Sequence, residues 1–68
     1  MAFKFEIGDR VRLSNEFFIG ILKAGTTGTV TNRGILNKDR PEYCIQLDES
    51  SPDIAACWVY EVDLEAAE

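Results

Sequence analysis

Histidine is missing from this chain, and with it the side chain that most often serves as general base or metal ligand near neutral pH. A serine, threonine or cysteine nucleophile would have no imidazole to activate it. Cysteine is scarce too: Cys44 and Cys57 are the only two, too far apart for a C-x-x-C pair, so a zinc site is not expected. Cys44 has acidic neighbours, Glu42 and Asp48, which raise a thiol's pKa rather than lower it. Cys57 reads as a small apolar residue. The carboxylates Asp48, Glu49 and Asp53 supply oxygens but not the spacing of a calcium loop. The phosphate-loop pattern G-x-x-x-x-G-K-[ST] is absent, which leaves Gly25 and Gly28 of "AGTTGTV" as expected turn residues. We therefore expect no enzyme, no cofactor and no metal. No apolar run approaches the roughly 18 residues a spanning helix needs, and no secretory leader is recognisable. The expectation is a cytoplasmic protein with reduced thiols and no membrane span.

Basic charge is also in short supply, with 7 Lys and Arg against 12 Asp and Glu. That disfavours a nucleic-acid partner, whose phosphates need a basic footprint; Arg10, Arg12 and Arg33 are the candidates for such contacts. The charges are segregated: all seven basic residues precede position 42, and eight of the acids lie from Glu42 onward. Either the two halves interleave so that opposite charges meet across strands, or an acidic face is left to attract a basic protein.

What the sequence does have is period-two alternation. Phe3, Phe5, Ile7, Val11 and Leu13 suggest one half-buried strand, interrupted near Gly8 and Asp9. "SNEFFIGILKAG" fits neither period and reads as a long loop with unusual apolar weight. Thr29 to Thr31 is a β-branched strand core, "NKDRP" a hairpin tip, and "DESSPD" a second polar turn. Tyr43, Ile45 and Leu47 face one way; Glu42, Cys44, Gln46 and Asp48 face the other. Ala56 to Tyr60 is a short strand, and "EVDLE" has room for a 3₁₀ turn and a strand stub. No segment carries a helical stripe. Sixty-eight residues make a single domain, 1–68, with an all-β barrel over about residues 5–65.

The order "GDRVRL", long loop, "GTTGTV", hairpin, "YCIQLDE", "WVYEVDLE" resembles the SH3-like small barrels of bacteria. It is similar to the SH3-like peripheral subunit of photosystem I and to the variable chain of ferredoxin–thioredoxin reductase. The shared motifs are structural, and what they imply is a five-stranded SH3-like barrel. The plasmid-borne type II dihydrofolate reductases also share "GDRVR" and a Tyr-x-Val ending. That resemblance implies a tetrameric pore enzyme whose lining would fall on Cys57-Trp58-Val59-Tyr60. Trp58 stands where that family's substrate-contacting glutamine belongs, and an indole offers neither the amide's acceptor nor its size.

A protein-binding or assembly module remains. If Val59, Val62 and Leu64 fill the barrel, Trp58 and Tyr60 lie together outside; in the opposite phase they sit inside beside Tyr43. We expect an interface anchored by Trp58, Tyr60, Phe17 and Phe18. Asp48, Glu49, Glu61 and Asp63 would form an acidic rim that attracts a basic or apolar partner surface. So small a core also favours self-association.

Overall fold

A computed structural model describes residues 3–16, 20, 22–37, 39–51 and 54–67, with the side chains at 36, 37, 49–51 and 54 outside the description. The strands are β1 (Arg10–Leu13), β2 (Thr27–Asn37), β3 (Arg40–Ser51), β4 (Ile54–Tyr60) and β5 (Leu64–Ala66). A 3₁₀ turn, Glu61–Asp63, separates the last two. All five form one antiparallel sheet in the order β4-β3-β2-β1-β5. The all-β expectation holds, and no ladder among the described residues joins β4 to β5, so the sheet is open rather than closed as a barrel.

Alternation decides the inner face. Tyr43, Ile45 and Leu47 of β3 are buried, as are Val11 and Leu13 of β1, Val30 of β2, Val59 of β4 and Leu64 of β5. Among the described residues outside the strands, Phe5 and Leu22 are the buried ones that join them. With no α-helix among the described residues to cover it, a sheet with one apolar face must curl upon itself, and this one buries all these side chains in a single cluster. The β2–β3 ladder shifts register between Val30 and Asn32 and between Ile35 and Asn37. Such bulges bend and twist a strand, which is what the curl requires. Asp39 turns the hairpin at φ 68°, a left-handed conformation that Asp tolerates better than most residues.

Four expectations need correction. Phe3 to Ile7 is not a strand: Gly8 turns at φ 101°, the Gly8 N–H donates to the Val30 carbonyl at 2.8 Å, and Ile7 is left 61% exposed. Gly28 is not a turn residue but lies inside β2, while Gly25 does turn the chain, at φ 94°. "DESSPD" is largely strand, since β3 runs to Ser51; the tip at 52–53 lies outside the described residues. Val62 does not fill the core and is 81% exposed. The 3₁₀ turn replaces the period of two with a period of three, so Val59 and Leu64 point inward while Val62 points out.

Candidate protein-interaction face

The phase of β4 is set by its pairing with β3. Tyr43 lies opposite Val59 and both are buried, so the neighbouring pairs, Glu42 with Tyr60 and Cys44 with Trp58, belong to the outer face. Trp58 is 44% exposed there. Tyr60 is half-buried, with the Arg40 guanidinium 5.6 Å from its ring centroid. Arg40, Pro41, Tyr60, Glu61 and Val62 line a recess of about 360 Å³ where β3 begins and β4 ends. Two residues along the same strand face, Trp58 stands roughly 7 Å from Tyr60. The resulting surface is an indole, a phenol under a guanidinium, a proline ring and an exposed valine.

Much of the expected acidic rim is engaged within the chain. The Asp48 carboxylate accepts hydrogen bonds from both Arg10 guanidinium nitrogens and from the Thr27 hydroxyl, at 2.5–2.7 Å. These donors, Arg10 foremost, hold its carboxyl well below the usual carboxylate range. Glu61 Oε1 accepts from the Tyr43 hydroxyl at 2.5 Å and from the Lys4 N–H at 2.9 Å. Asp63 Oδ1 accepts from the Asn15 amide at 2.8 Å. The Glu49 side chain, Asp53, Phe17 and Phe18 lie outside the described residues.

The candidate phosphate contacts are engaged as well. Arg10 holds Asp48, and Arg12 lies 3.4 Å from Glu65 across the β1–β5 pair. Arg33 donates to the Phe5 carbonyl at 2.8 Å and lies 4.7 Å from the Phe3 ring centroid. The two halves of the chain therefore interleave, and opposite charges meet across strands.

The thiols sit on opposite faces of the sheet, Cys44 beside Trp58 and Cys57 opposite Ile45, and both are free. Burial, and secondarily Cys44 nearby, pushes the Cys57 thiol up and away from nucleophilic use. Among the described residues, no three His, Cys, Asp or Glu side chains converge as a metal site, and no helix is long and apolar enough to cross a membrane.

Sequence reasoning names Trp58 and Tyr60 as interface candidates but not Arg40 and Pro41, and it reads Val62, which lines the recess, as a core residue. Arg40 and Tyr60 are 20 positions apart and meet only because Glu42 pairs with Tyr60, which puts Arg40 on the diagonal. No local signal encodes that register. No protein-family model, curated protein or solved structure matches this chain.

Proposed function

We propose that the protein is a non-enzymatic binding module that docks another protein on the outer face of β4 and the 3₁₀ turn. The observation that carries this reading is Trp58, 44% exposed on a strand whose inward-facing Val59 is buried, beside the recess of Tyr60 and Val62. Tryptophan and tyrosine are the side chains most enriched in interface hot spots, and here a rigid sheet presents them. The sheet order with a 3₁₀ turn before the last strand supports an SH3-like identity, an analogy that bears on the fold alone. The partner inserts an apolar side chain into the recess. The net charge of −5 steers a basic partner from a distance, while contact rests on Trp58, Tyr60 and Val62.

Peptides selected by display against the immobilised protein and then titrated by calorimetry test this. Enriched sequences should combine basic and apolar residues. Nuclear magnetic resonance should locate their shifts at Arg40, Tyr60 and Val62, and Trp58→Ala should weaken binding at least about tenfold without altering the fold. Failure to enrich any sequence, or binding indifferent to Trp58→Ala, overturns the proposal.

A further inference from the structure

Arg40 stands apart from the other arginines. Arg10 and Arg12 meet carboxylates, and Arg33 donates to the Phe5 carbonyl. The Arg40 guanidinium lies 5.6 Å from the Tyr60 ring centroid, and among the described residues it has no oxygen partner. Contact with a ring restrains a guanidinium without using its N–H fork, whose spacing matches the two oxygens of a carboxylate. Arg40 also lines the recess of about 360 Å³, together with Pro41, Tyr60, Glu61 and Val62. Glu61 does not occupy the fork: its Oε1 accepts from the Tyr43 hydroxyl and the Lys4 N–H, and it makes no ion pair with Arg40. An exposed arginine in an apolar recess suits an anion that arrives together with an apolar group.

We infer that the recess receives the C-terminal residue of a partner chain, its apolar side chain entering against Pro41, Tyr60 and Val62 and its α-carboxylate pairing with Arg40. Such capture rests on the docking reading and adds which end of the partner enters. Cation and apolar lining belong to one small recess, so both ligand groups must come from one residue. Aspartate and glutamate carry a carboxylate in place of an apolar side chain. A terminal leucine, valine or phenylalanine carries both on one carbon. A recess near the lower end of the roughly 300–1,000 Å³ spanned by ligand pockets suits one chain end better than a folded surface. The net charge of −5 repels a lone anion, so basic residues ahead of the terminal one complete the ligand, in keeping with a basic partner.

Peptides of lysine, arginine and apolar residues, arrayed through their N-termini and made both as free acids and as C-terminal amides, test it. Free acids ending in an apolar residue should bind, and in calorimetric titration the amide of the same sequence should bind at least about tenfold more weakly. Arg40→Gln, at an exposed position, should abolish that preference while the affinity of the amide stays within about twofold. Trp58→Ala should weaken acid and amide alike. Acids and amides that bind equally, or a preference that survives Arg40→Gln, overturn the inference and leave the docking face standing. Amides with an internal glutamate beside leucine that bind as well as the free acids also overturn it, since any carboxylate would then serve. If no peptide of either form binds, both proposals fall.

Discussion

A phenol with no exposed surface must satisfy its oxygen inside the protein, and the Tyr43 hydroxyl does so three times. It accepts the N–H groups of Lys4 and Phe5 at 2.9 and 3.2 Å and donates to Glu61. Its ring meets Phe3 and Phe5 edge-on, with centroids 5.9 and 5.4 Å away. One residue thus straps the N-terminal segment to the sheet. Tyr43→Phe keeps the ring and removes the strap, so two amides and a carboxylate lose a partner. Denaturant titration should show a loss of about 1–3 kcal/mol, and the Lys4 and Phe5 amides should exchange faster. Burial, reinforced by Glu61, also raises the phenol's pKa above 10.0. The folded state then holds the proton more tightly than the unfolded one. Stability is full below the ordinary pKa and falls as pH rises through the raised value; Tyr43→Phe should remove this residue's share of the alkaline decline.

At the level of the strand, β2 and β3 approach closely at Gly28. A methyl group built there would lie 2.5 Å from Ile45 Cγ2 and 2.6 Å from the Gln46 carbonyl oxygen. Gly28→Ala should therefore cost about 1–3 kcal/mol, measured as a lower denaturation midpoint, because backbone on the neighbouring strand must move. The sequence offers two glycines three residues apart and cannot say which turns and which is squeezed, since the squeezing residue lies 17 positions away. The alternation of Tyr43, Ile45 and Leu47 was legible because a strand's own period carries it, whereas the sequence leaves the phase of Trp58 open and the pairing of Val59 with Tyr43 decides it. Phe3 to Ile7 shows the opposite case. Its alternation imitates a strand, but the hydrogen bonds of Lys4 and Phe5 go to side chains 38 to 57 positions away. The rim acids misled for the same reason: Asp48 meets Arg10 at a separation of 38, and no local pattern announces it.

Across the whole molecule, the charge segregated along the chain becomes charge matched in space. Arg10 from the first strand reaches Asp48 on the third by crossing Thr27 and Thr29 of the second. The Asp48 carboxyl is held below its ordinary value of 3.8 in the folded state, so the pair stabilises above that value and is lost as pH falls below it. Asp48→Asn should lower stability at neutral pH and flatten the acid limb of the stability curve between roughly pH 5 and 2. The pair is exposed, so added salt should shrink the difference between the two proteins. The pairing of β1 with β5 has a mechanical consequence. Val11 faces Ala66, Leu13 faces Leu64, and the Ala67 N–H donates to the Arg10 carbonyl, so the chain enters and leaves the sheet at adjacent points on antiparallel strands. Tension applied through those two points pulls across the ladder rather than along it and breaks its bonds one after another, as a zipper opens. Held between two tethers, the domain would give way at this seam first, while the long β2–β3 hairpin, lying off the line of force, stayed closed.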